Sequence, residues 1–227
     1  MFIKSPDHSV EGILKTSKET LKSNQNVLFP VYPSGVVFDL LEILSLQLEQ
    51  SGLGSVPFYY IAPLAKESLA HAQIFPECLS EPKQSRATNP EFPFIHEELL
   101  ETGKLKVFEH SADGLSDHFK GPAVIFSGHP TLEMGESRDL CSKWLESDQH
   151  KIIITEPDLP PTIFQDRRST VLYWPIDTRL TQSAARMLIE ELEPKEVIIS
   201  DIMRKNCPTL AESGSVNLPL KAPKLYL

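Results

Sequence analysis

Cysteine is scarce in this chain of 227 residues: there are three, at Cys78, Cys141 and Cys207. An odd number, so widely spaced, makes neither a disulfide framework nor a zinc framework. It reads as reduced thiols in a reducing compartment. Histidine pairs are missing too. The seven histidines (8, 71, 96, 110, 118, 129, 150) never fall two or four apart, and the His-x-His-x-Asp-His run of zinc hydrolases is absent. Basic residues are outnumbered, 22 Lys and Arg against 31 Asp and Glu, for a net charge of −9. Their longest cluster is Arg167-Arg168, so the density needed to displace counterions from a nucleic acid is lacking. No apolar run reaches the ~18 residues of a membrane span. The opening MFIKSPDHS lacks the apolar core of a signal peptide. There is no Gly-x-Ser-x-Gly elbow and no glycine-rich phosphate loop. The chain reads as intracellular and soluble.

What is present is an alternation of apolar runs and amphipathic segments. At 41% hydrophobic, the chain can bury a sizeable core in one or two domains. Residues 26–49 are the most informative stretch. A buried strand over 27–31 leads into the turn Tyr32-Pro33-Ser34-Gly35 and then a helix. Val36, Val37, Leu40, Leu41, Leu44 and Leu48 recur at helical spacing. Before it, Pro6 and Asp7 start a helix carrying Val10, Ile13, Leu14 and Leu21. After it come a strand over 58–61, a helix from Pro63 to about Leu79, and a proline-rich linker over 80–93. Further strands are expected over 105–108, 123–126, 152–154, 171–174 and 197–199, with helices over 136–145 and 182–192. The stretch 159–168 reads as a proline-rich, charged break. The expected fold class is α/β, a mainly parallel sheet with helices on both faces, followed by a strand-helix-strand segment.

Few residues stand out as chemistry. His129 follows a strand, in Gly128-His129-Pro130, and is either a site residue or a turn histidine bonding to nearby backbone. Asp39, one turn into its helix, is either a general base or a carboxylate that supports the residues of a site from behind, or a solvated or capping group favoured there by the helix dipole. Cys141 lies on an apolar helix face and reads as core. Asp177 and Arg179 read as a structural ion pair beside a turn.

Three segments carry a family resemblance: NVLFPVYPSGVVFDLLEIL, AVIFSGHPTLEMG and VLYWPIDTRLTQSAARMLIEELEPKEVII. They resemble the β-CASP family of RNA-processing metallo-β-lactamase proteins, and within it the non-catalytic branch that serves the Integrator complex. The Tyr-Pro-Ser-Gly, Gly-His-Pro and Pro-Ile-Asp-Thr-Arg turns match in order and spacing, over about residues 6–201. The resemblance implies a β-CASP domain over 1–161, a partial metallo-β-lactamase return segment over 169–201 and an irregular tail over 204–227. The first half of the lactamase domain would precede Met1, making the chain a fragment. Active members carry an acidic residue where Asp39 stands. They carry histidines where Arg179 and Asp201 stand. A guanidinium stays protonated and cannot ligate zinc, so the resemblance implies a relict site at Asp39, Arg179 and Asp201 with no metal, no cofactor and no catalysis. Pro33, Ser34, Gly35, Gly128, His129, Pro130 and Asp177 would be structural turn residues. Implied partners are a catalytic β-CASP nuclease and the other subunits of Integrator, in 3′-end processing of small nuclear RNA in the nucleus. RNA contact would be indirect or weak, with no membrane. The alternatives are an active zinc-dependent RNA endonuclease of the family and a small-molecule-binding α/β domain.

Overall fold

Apolar strands buried on both faces call for a parallel sheet with helices on each side, and that is the architecture of the computed structural model. It describes residues 6–74, 76–88, 92–132, 134–144, 150–159, 171–199 and 215–217. The chain divides into two compact units, 1–177 and 178–227.

The first unit opens with α1 (Pro6–Lys22), β1 (Val27–Pro30) and α2 (Val36–Gln50). It continues through β2 (Phe58–Ile61), α3 (Ala65–Ala72), α4 (Glu81–Thr88), α5 (His96–Glu101) and β3 (Leu105–Phe108). Then come α6 (Leu115–His118), β4 (Val124–Ser127), α7 (Gly135–Trp144), β5 (Lys151–Ile154) and β6 (Val171–Tyr173). The six strands form one sheet in the order β3-β2-β4-β1-β5-β6, and every pairing is parallel.

Side chains alternate between the two faces, as the strand period of two requires. Val27, Phe29, Phe58, Tyr60, Val124, Phe126 and Ile153 face α1, α2, α3 and α5. Leu28, Tyr59, Ile61, Ile125, Ile152 and Ile154 face α6 and α7. Cys141 belongs to this second core; burial pushes its thiol up to about 12. No helix among the described residues is long and apolar enough to cross a membrane.

Several sequence expectations need correction. The helix expected from Pro63 to about Leu79 is the shorter α3, followed by a separate 3-10 turn over Pro76–Cys78. Pro76 lacks an N–H and would clash one turn back, so the helix stops before it. The linker expected over 80–93 contains α4 instead. Pro82 sits in its first turn, where an N–H would have no partner anyway. The Ser80 carbonyl accepts from the N–H groups of Lys83 and Gln84. The short helices α5 and α6 had no counterpart in the expectation.

The strand expected to open the return segment instead closes the first sheet. β6 pairs with β5 as Ile152↔Val171, Ile153↔Leu172 and Ile154↔Tyr173. The Trp174 N–H donates to the Ile154 carbonyl (2.9 Å) and the Ile176 N–H to the Thr155 carbonyl (2.8 Å). The Trp174 ring lies directly on α1. A Cβ added to Gly12 would sit 2.6 Å from it, so only glycine fits there. The first compact unit therefore runs past 169, to Asp177.

The second unit holds α8 (Gln182–Leu192), β7 (Val197–Ile199) and β8 (Ser215–Asn217). Thr181 caps α8, its hydroxyl accepting from the Ala184 N–H at 3.2 Å. β7 and β8 pair in parallel, so the tail expected to be irregular over 204–227 contains a strand. Residues 204–214 and 218–227 lie outside the described residues.

Candidate functional site

Parallel strands place all their carboxyl ends on one edge. The chain leaves β1 toward β2 and leaves β4 toward β5, in opposite directions across the sheet. β1 and β4 are neighbours, so the switch point between them is where an open α/β sheet has its crevice. The two turns singled out in the sequence meet there.

The first turn follows β1. Gly35 has φ 73°, a left-handed conformation that favours glycine, and stands at the N-cap of α2. The Pro33 carbonyl accepts from the Ser68 hydroxyl of α3. Ser34 is exposed. The second turn follows β4. The Val31 N–H donates across to the Ser127 carbonyl at 2.9 Å. The Ser137 hydroxyl of α7 donates to the same carbonyl at 2.8 Å, and the Ser137 N–H to the Gly128 carbonyl at 3.1 Å. Pro130 is buried.

His129 joins the two turns. The Tyr32 ring stands edge-on to its imidazole, centroids 4.9 Å apart. The Thr131 N–H donates to His129 Nδ1 at 3.4 Å, and the Thr131 hydroxyl lies 3.1 Å from the same nitrogen. Nδ1 is thus an acceptor and Nε2 carries the ring proton. His129→Ala is expected to lower stability by roughly 1 kcal/mol, the scale of one lost hydrogen bond, read as a shift in urea midpoint. An unchanged midpoint would mean that the ring is a spectator.

The other sequence-selected residues lie elsewhere. Asp39 is exposed on α2, and its carboxylate accepts from Lys83 of α4 at 2.6 Å. Asp177 is half-buried at the end of the first unit, and Arg179 is exposed in the second. Asp201 lies outside the described residues. Among the described residues, no group of three or more His, Cys, Asp or Glu could hold a metal ion.

Sequence reasoning missed two polar groupings. One is at the same edge. Glu136, in the first turn of α7, accepts from the Ser111 N–H at 2.9 Å and lies 3.2 Å from His110 Nδ1. Burial pushes its carboxyl up, but the bonds from Ser111 and the proximity of His110 outweigh this and hold it below the ordinary range. An acid just after a glycine at a helix start was the available signal. The other is the set of ion pairs around α4. Lys83 also reaches Glu42 (3.4 Å), and Arg86 bonds Glu42 at 2.6 Å.

The sequence pattern described as the Beta-Casp domain matches residues 37–163, from α2 through β5. The chain belongs to the Beta-Casp family. Among curated relatives it is similar to Integrator complex subunit 9 of Xenopus laevis, 40% identical over 97% of this chain and 34% of the relative. It is likewise similar to Integrator complex subunit 9 of Homo sapiens, 40% identical over 97% of this chain and 34% of the relative. Endoribonuclease YSH1 of Eremothecium gossypii is more distant, 26% identical over 62% of this chain and 19% of the relative. The chain spans about a third of the length of the Integrator relatives it matches. The Beta-Casp match spans the switch-point turn Gly128-His129-Pro130, α4 and the break before β6.

Proposed function

We propose that this Beta-Casp chain is part of a non-catalytic subunit of the Integrator complex. In this reading it supports 3′-end processing of small nuclear RNA in the nucleus, beside a catalytic β-CASP nuclease and other Integrator subunits. One observation carries the reading: 40% identity to the human and frog Integrator complex subunit 9 over nearly the whole chain. That is well above the likeness to the endoribonuclease.

The lack of catalysis is argued from residue chemistry. Arg179 and Asp201 stand where active members of the family have imidazoles. A guanidinium beside a metal position repels the ion instead of binding it. Asp39, the matching acid, is engaged by Lys83. We read the residues from Thr178 onward as the returning part of a metallo-β-lactamase domain, with Asp177 and Arg179 as structural parts of a relict site. The acidic balance of the chain favours RNA contact that is indirect or weak.

Two measurements test this. Affinity purification of the endogenous protein carrying this sequence should recover Integrator subunits, and its depletion should leave small nuclear RNAs with extended 3′ ends. Recovery without Integrator subunits, or unaltered 3′ ends, overturns the assignment. Elemental analysis should find no stoichiometric zinc in the purified chain. Zinc that is bound, and lost on mutating Asp39 or Asp201, would instead support the active-nuclease reading.

A further inference from the structure

α4 is fastened to the core by charge, over a buried aromatic cluster. The Lys83 ammonium bonds Asp39 and Glu42, and Arg86 bonds Glu42. Lys83 Nζ also sits 3.9 Å from the centroid of the Phe94 ring, a cation–π geometry. Phe94 lies 5.3 Å from Phe38 of α2 and 5.8 Å from His96, and Phe38 lies 5.7 Å from His96. His96 is 1% exposed.

The hydrogen bonds around His96 fix its protonation. Nε2 lies 3.0 Å from the Leu69 carbonyl. A carbonyl only accepts, so Nε2 carries the proton. Gln73 Nε2 lies 2.9 Å from the same nitrogen; two donors do not face each other, so the amide is read with its oxygen there, in line with the lack of any partner for Gln73 Oε1 among the described residues. Nδ1 is buried and has no hydrogen-bond partner among the described residues. A proton placed there would be a buried N–H without an acceptor. It would also put a second cation near Lys83. Both costs vanish once this segment lifts away and His96 meets water.

We propose that α4 and residues 92–96 form an acid-released strap, closed while His96 is neutral and freed when its orphaned Nδ1 takes a proton. Opening uncovers Phe38 and Phe94 and leaves Asp39 and Glu42 without their cations. Burial holds the His96 imidazole below its ordinary 6.5; the Leu69 bond opposes this and Lys83 adds to it. Closure is therefore fully favoured above pH 6.5 and weakens as pH falls toward the depressed value. Other charged groups lie on the elements around the ring. Lys83 and Arg86 of α4 are the basic groups nearby. Asp39 and Glu42 of α2 pair with these cations, and Glu97 and Glu98 lie on the same helix as His96. From α3 and its C-cap, the Leu69 carbonyl and the Gln73 amide face the ring.

Hydrogen exchange of the 227-residue chain at pH 7 and pH 5.5, corrected for intrinsic rates, reads the strap directly. Opening of α4 and residues 92–96 should rise by up to about tenfold between those pH values, while β1 stays unchanged. His96→Gln keeps a donor for Leu69 but cannot titrate, and should remove the step. Lys83→Met should loosen the strap at both pH values and leave the step in place. A strap equally protected at both, or a step that survives in His96→Gln, overturns the proposal. Should His96→Gln not fold, the ring titration of the unaltered chain decides. His96 titrating with exposed histidines near pH 6.5 would overturn the proposal, and a lower titration that tracks α4 exchange would uphold it.

Discussion

Replacing Phe126 with alanine is expected to cost roughly 3–5 kcal/mol of unfolding free energy. That approaches the whole stability of an ordinary domain. Phe126 is fully buried in β4, an interior strand. Its ring stacks on Phe29 of β1 at 5.2 Å and on Phe58 of β2 at 6.5 Å, and Tyr60 meets it edge-on at 6.4 Å. The side chain therefore ties β4 to both neighbouring strands on the face covered by α2. Removing it leaves a cavity that three rigid rings cannot collapse into, which is the case where truncation costs most. Both tryptophans, Trp144 and Trp174, belong to the first unit, so their fluorescence reports its unfolding in urea. The exposed Leu46 is the control: Leu46→Ala should stay within about 0.5 kcal/mol. A loss at Phe126 no larger than that would mean that the two β4 interfaces are not coupled through its ring.

The sheet was legible because a parallel strand must be apolar on both faces. Runs such as Val27-Leu28-Phe29 and Ile152-Ile153-Ile154 satisfy that locally and need no knowledge of their neighbours. The meeting of the turns at Tyr32 and His129 followed from the same rule, since parallel strands end on one edge. What escaped the sequence depends on distant partners. α4 is mostly polar and contains Pro82, so local composition reads as loop. Its ion-pair partners Asp39 and Glu42 lie 44 residues away in sequence. β6 is three residues long, and its place beside β5 is a tertiary fact. β8 is Ser-Val-Asn, with no apolar period to announce it. His96 gave no signal because a lone histidine among phenylalanines and glutamates has no diagnostic spacing. Its meaning comes from a carbonyl 27 residues back.

The second unit is expected to be the weak part of this chain and the part that drives it to associate. α8 was drawn from a clean helical period, yet Met187, Leu188 and Leu192 are exposed, Met187 at 68% and Leu192 at 65%. Leu180 and Ile198 are exposed beside it in sequence. Leaving an aliphatic side chain in water forgoes roughly 1.5–3 kcal/mol each, and clustered exposure of this kind invites association. The strands here offer little compensation. Among the described residues β7 and β8 form a two-stranded sheet, which is marginal in water without a third strand or a covering helix, and unpaired strand edges recruit other strands. β1, by contrast, lies between β4 and β5 with every residue buried. Amides of β1 should therefore exchange only through global unfolding. Those of α8 and β7 should exchange through local opening, orders of magnitude sooner. In sedimentation velocity the chain should show concentration-dependent species above the monomer. The double variant Met187→Lys, Leu192→Lys should shift them toward the monomer without changing exchange in β1. A monomeric parent chain with α8 as protected as β1 would show instead that the second unit is self-sufficient, and that its apolar face needs no cover.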